Sequence, residues 1–145
     1  MSGSNILGTE ADEKNLKHFH ITGLIDFGDL THTFLICEIA ISMASFMNEE
    51  DLLGRSGCVL AGYQSRFPLS THEIELLYYF VSACLCATAI ISNDQCRLFS
   101  TNETIATTNW KLLKTFWQEP KSQVDQVWAD VARKFSQHHQ SEKLM

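Results

Sequence analysis

The chain of 145 residues has about the length of one ordinary domain, and its 45% hydrophobic content is typical of a folded protein rather than a disordered one. Its net charge of −6, with 11 lysines and arginines scattered along the sequence, argues against sequence-independent binding to nucleic acid or to an anionic membrane. We therefore expect no nucleic-acid partner and no membrane partner, and the composition indicates no particular oligomeric state.

The cysteines indicate a reducing compartment. The chain has five of them, an odd number, and four lie in apolar stretches, which suits buried thiols better than a disulfide framework. Cys84 and Cys86 could form half of a metal site, but no second Cys/His pair at a ligand spacing accompanies them, so core packing is favoured. Residues 1–20 are polar and mixed, unlike a secretion signal, and we expect a cytoplasmic protein.

The first part of the chain has the pattern of a β-hairpin. "SNILG" and "HFHITGLI" are short apolar runs, and the charged stretch "TEADEKNLK" between them is typical of a solvated loop. The turn "DFGD" follows the second run, and Gly28 would permit a sharp change of chain direction there. The sequence after this turn is predicted to be helical.

Five helices are predicted in chain order. The first covers about 32–47 with Thr31 or Thr33 as its cap, and the second is a shorter helix weakened by Gly54 and Gly57. Ser70 and Glu73 have the spacing of a capping box, which predicts a third helix from there to about Leu98.

The third helix contains the most apolar stretch of the chain. Residues 76–91 fall short of the roughly 20 apolar residues that a bilayer requires, so we predict the buried central helix of a bundle. A fourth helix, at about 102–118, would place Trp110, Leu113 and Trp117 on one side and stop at Pro120. A last helix, with Ser122 at a cap-like spacing from Asp125, would carry an apolar face of Val124, Val127, Trp128, Val131 and Phe135.

The hairpin brings two oxygen donors to the same end. Antiparallel pairing of the two strands would place Asn5, at the start of the first, near Asp26, at the end of the second. Amide and carboxylate oxygens suit Mg²⁺, which takes one or two protein ligands and fills its other positions with water and phosphate. The alternative is a simple turn with a hairpin or capping asparagine, and spacing alone favours that alternative.

A family resemblance favours the metal site. "GLIDFGD" followed by "ICEIAI" resembles the metal-binding turn and following helix of the aminoglycoside phosphotransferase-like kinases, relatives of the protein kinases. In that family a catalytic loop of the form His-(Arg or Gly)-Asp, four residues, Asn precedes the metal-binding Asp of Asp-Phe-Gly. "MSGSNIL" resembles the tail of such a loop, with residues 1–4 as spacers. Beyond residue 47 the chain resembles, more loosely, the C-terminal part of the hydroxylysine kinases.

The resemblance implies a fold and a reaction. The fold is α+β and mostly helical, the C-terminal lobe of a protein-kinase-like fold in a single domain: a metal-binding hairpin and DFGD turn at 1–30, a helical subdomain at 31–138 and a tail at 139–145. The implied reaction transfers the γ-phosphate of GTP, or of ATP, to a hydroxyl of an amine-bearing small molecule such as 5-hydroxylysine, with Mg²⁺ as cofactor.

The resemblance also implies roles for individual residues. Asn5 would hold one Mg²⁺, and Asp26 would bridge the metal to the nucleotide phosphates. Asp29 would either support these ligands or bind the substrate amine. Glu38 stands where family members place an acid that braces the catalytic loop, although a helix-surface glutamate is an equal alternative. His32 is expected to be an exposed loop histidine.

Other parts of a kinase are missing from the sequence. The aspartate that accepts the substrate proton would stand immediately before Met1, and the chain has no glycine-rich phosphate loop and no paired strand lysine. We therefore expect a C-terminal kinase fragment that is inactive by itself. The alternatives are a fragment of a choline- or homoserine-type kinase, and a non-catalytic helical module that binds a partner through its aromatic residues. The helical spacing of the tryptophans favours burial over display.

Overall fold

A hairpin followed by five helices makes up the computed structural model, which describes residues 6–10, 19–26, 32–99 and 103–142. The strands are β1 (Ile6–Glu10) and β2 (Phe19–Leu24), and they pair antiparallel with Ile6 opposite Leu24. Leu7 and Gly8 are opposite Gly23 and Ile21, so Thr22 is an extra residue in β2, as in a β-bulge. The predicted hairpin is confirmed.

The five predicted helices are confirmed, with small changes at their ends. Their bounds are α1 (Leu35–Phe46), α2 (Leu52–Gln64), α3 (Thr71–Phe99), α4 (Glu103–Gln118) and α5 (Lys121–Glu142). The last of them continues through 139–142, which the sequence analysis assigned to the tail. The fold is therefore mostly helical with one N-terminal hairpin, as expected for the α+β class.

Two predicted caps are wrong. The residue that precedes α1 is Phe34, which makes no side-chain cap, and Thr33 lies one residue too early to serve. At α5 the carbonyl of Pro120 accepts hydrogen bonds from the amides of Gln123 and Val124, so Ser122 already lies inside the first turn. Proline fits this place because the amide that it lacks would have no partner within the helix.

The capping box at the start of α3 is formed as predicted. The amide and the hydroxyl of Ser70 both donate to Glu73 Oε2 at 2.7 Å, and the amide of Glu73 approaches Ser70 Oγ at 3.3 Å. These bonds lower the pKa of Glu73, because they stabilise its ionised form. Stability gained from this cap is present above the ordinary glutamate pKa and is lost as the pH falls through the lowered value.

The core lies between the helices. The first helix packs against α2 and α3, while α2 also packs along α5 and α3 packs along α4. Aliphatic and aromatic side chains from all five helices are buried there, including Ile39, Met43, Leu60, Leu77, Val81, Leu113, Phe116, Val124 and Trp128. By contrast, the substantial contacts of the hairpin, among the residues described, are between its own two strands.

The two glycines that weaken the α2 prediction have structural reasons. Asp51 caps α2 by accepting a hydrogen bond from the amide of Gly54 at 2.9 Å, and a side chain at that glycine would collide with the carboxylate. A Cβ on Gly57 would lie 3.1 Å from Val131 on α5, so the absent side chain lets the two helices approach closely. Helix propensity is traded for the close approach of α5 at Gly57, and for room beside the capping carboxylate of Asp51 at Gly54.

A buried polar contact joins the same two helices. The indole Nε1 of Trp128 donates to Ser56 Oγ at 2.9 Å, and that hydroxyl donates to the carbonyl of Leu52 at 3.0 Å. The Trp128 ring also stacks on Phe116 of α4, with a distance of 6.3 Å between the ring centroids. Trp128 therefore ties α2, α4 and α5 together.

The prediction that α3 is a buried central helix is only half right. Leu77, Val81, Leu85 and Ala89 are buried on one side, but Tyr79 and Ile90 on the opposite side are 57% and 60% exposed. By length and composition alone α3 could cross a membrane, but core helices of soluble proteins meet the same criterion. In the most apolar 18-residue stretch of α3, 28% of the residues are buried.

The prediction that the tryptophans of α4 are buried against the core is wrong. Leu113 is buried as expected, but Trp117 is 62% exposed and Trp110 is also exposed. The buried face of the helix is instead formed by Ala106, Leu112, Leu113 and Phe116. The face of α4 that packs against the core is therefore not the face on which Trp110 and Trp117 lie.

Candidate metal-binding turn

The pairing of the two strands determines which residues lie at the open end of the hairpin. Because Ile6 is opposite Leu24, the beginning of β1 and the end of β2 lie at the same edge. Asp26 follows β2 by two residues and its side chain is exposed at this edge. Asn5 lies outside the described residues, so its predicted approach to Asp26 stays a prediction. Asp29 and Gly28 also lie outside them.

The backbone of Asp26 has an uncommon conformation. Its φ is 63°, and it is the only non-glycine residue with positive φ in the part of the chain that the structure describes. This left-handed region is costly for most side chains, and aspartate tolerates it better than most because its short carboxylate can bond locally. Such conformations concentrate at functional sites, where the surroundings maintain them. The sequence predicted a sharp turn here with Gly28 as the residue that permits it, and Gly28 lies outside the described residues.

The described residues at this edge supply only part of the oxygen ligands that a cation such as Mg²⁺ would need. An exposed carboxylate is a suitable ligand for Mg²⁺, which needs few protein oxygens. Within residues 6–10, 19–26, 32–99 and 103–142, no group of three or more His, Cys, Asp or Glu side chains converges on one point. A complete cation site at this edge therefore needs further oxygens, from Asn5 or from a bound phosphate.

Glu38 lies on the first turn of α1. Its side chain is exposed, and its negative charge is favourable near a helix N-terminus. Burial raises the pKa of Tyr63 on α2, and the charges of Glu38 and Glu73 raise it further. Glu38 thus acts electrostatically toward α2, and its predicted role in bracing a catalytic loop is untested. His32 is exposed, as expected.

The surroundings of Asp26 are apolar and open to solvent. Ile21, Leu24 and Ile25, which precede Asp26 on the hairpin, are exposed. Exposed apolar residues that form a contiguous patch often mark a binding surface. A carboxylate beside apolar surface would bind a cation more strongly once another molecule excluded water from it, because charge interactions grow as the dielectric falls.

A concave feature that the sequence did not predict lies between α1, α3 and α4. It is a groove of about 580 Å³, with Cys37 and Ile41 on one wall, Asn109 on the other, and Ala83 and Ala87 along α3. Burial raises the pKa of the Cys84 thiol in this groove, and the neighbouring Cys37 raises it further. A raised pKa keeps that thiol protonated at neutral pH and makes it a poor nucleophile.

Comparisons with known proteins point to one group of enzymes. The chain is 30% identical over 128 residues to hydroxylysine kinase from Xenopus laevis, a match that covers 85% of this chain and 34% of that protein. It is 27% identical over 122 residues to the Bos taurus protein of the same name, covering 81% and 32%. The Danio rerio protein is 30% identical over 129 residues, covering 82% and 35%.

The matches cover most of this chain but only part of each relative. They support a kinase-like relationship, and the chain spans about a third of the length of the curated relatives that it matches. No protein-family model matches the sequence. No solved structure matches it either.

Proposed function

We propose that this chain is part of a small-molecule kinase, in which Asp26 together with Asn5 holds Mg²⁺ beside the phosphates of GTP or ATP. The acceptor would be a hydroxyl on an amine-bearing, amino-acid-like molecule of the hydroxylysine type, in the cytoplasm. The observation that carries the proposal is the exposed, left-handed Asp26 at the edge where β2 ends and β1 begins. The similarity to hydroxylysine kinases over most of the chain supports it.

The chemistry assigned to this edge is positioning and charge neutralisation. A divalent cation, when bound, would neutralise the phosphoryl charge that develops during transfer. The Asp26 carboxylate would fix the cation relative to the hairpin, and the paired strands would fix the carboxylate. Asp29 is proposed to support these ligands or to bind the substrate amine, and Glu38 to brace the adjoining loop.

Binding of a divalent cation at Asp26 can be tested without any activity. Mn²⁺ titrated into the isotope-labelled chain should broaden the amide signals of Ile25, Asp26 and the first residues of β1. The variant Asp26→Asn keeps the side-chain shape and the tolerance for positive φ but removes the charge, so the apparent Mn²⁺ affinity should fall about tenfold or more.

The control for this titration is Asp130→Asn, which removes a carboxylate from α5 that is paired with Arg133. It should leave the broadening at the hairpin unchanged. Broadening that is absent from the hairpin, or that survives in Asp26→Asn, would contradict the proposed site.

The chain by itself is expected to transfer no phosphate. It contains no glycine-rich phosphate loop and no paired strand lysine, and phosphoryl transfer depends on such groups to position the nucleotide. Incubation with Mg²⁺, 5-hydroxylysine and GTP or ATP should give no phosphorylated product by mass spectrometry. The hydroxylysine kinase from Xenopus laevis serves as the positive control, and product formation by the 145-residue chain would refute the expectation.

A non-catalytic interaction module is the second candidate function. The exposure of Trp117 and Trp110 favours it, because aromatic side chains displayed on a helix are frequent anchors of protein interfaces. The Mn²⁺ titration separates the two candidates, since a module of this kind has no need for a cation at Asp26.

A further inference from the structure

We draw no further inference here: the strongest candidate, the exposed apolar face of α3 together with the groove that adjoins it between α1, α3 and α4, carries none because nothing in the structure shows what covers it.

Discussion

Replacing Trp128 by alanine is expected to lower the free energy of unfolding by about 3–5 kcal/mol. The side chain is only 3% exposed, it stacks on Phe116, and its indole bonds to Ser56 Oγ. Removing it leaves a cavity where α2, α4 and α5 meet. Urea unfolding followed by circular dichroism, at one fixed protein concentration, measures the loss.

The matched control is Trp117→Ala on α4, where the indole is 62% exposed. The same substitution there removes little buried surface and should change the free energy of unfolding by no more than about 0.5 kcal/mol. Similar losses for both tryptophans would show that the burial of Trp128 does not carry the stability assigned to it.

Replacing Gly57 by leucine is expected to destabilise the protein by about 1–3 kcal/mol. The first carbon of any side chain at this position meets Val131 at 3.1 Å, so a leucine forces α2 and α5 apart. The separation would also strain the hydrogen bond between Trp128 and Ser56. Urea unfolding of the variant gives the change in the free energy of unfolding directly.

Gly62→Leu provides the comparison on the same helix. A Cβ there has no atom within 4 Å, so the better helix propensity of leucine should keep stability unchanged or raise it by up to about 1 kcal/mol. If Gly57→Leu were as stable as Gly62→Leu, the close approach of α2 and α5 would not be the reason for a glycine at position 57.

Local patterns predicted the elements of this fold well. The hairpin follows from two apolar runs around a charged loop, and the capping box of Ser70 and Glu73 depends on residues three apart, so short-range chemistry specifies both. The Thr33 cap failed because α1 begins at Leu35, so the residue that precedes the helix is Phe34, which has no side-chain group that can cap it.

Long-range packing accounts for what the sequence could not reveal. The Ser56–Trp128 hydrogen bond joins residues that are 72 positions apart, and the periodic spacing of apolar residues does not predict such a partner. Periodicity placed Trp110 and Trp117 on one stripe of α4, but it could not decide whether that stripe or its neighbour faces α3. At the candidate site, the DFGD pattern indicated a turn without indicating that Asp26 itself adopts positive φ.

The weak attachment of the hairpin has a consequence for measuring ligands. In the part of the chain that the structure describes, β1 and β2 make their substantial contacts with each other, and an isolated two-stranded ribbon is marginally stable in water. The ribbon can thus open while the helices stay folded. A cation at Asp26 would slow amide hydrogen exchange in the ribbon, yet the thermal midpoint of the helical signal would not move. Thermal-shift screening would therefore overlook a genuine ligand of this turn.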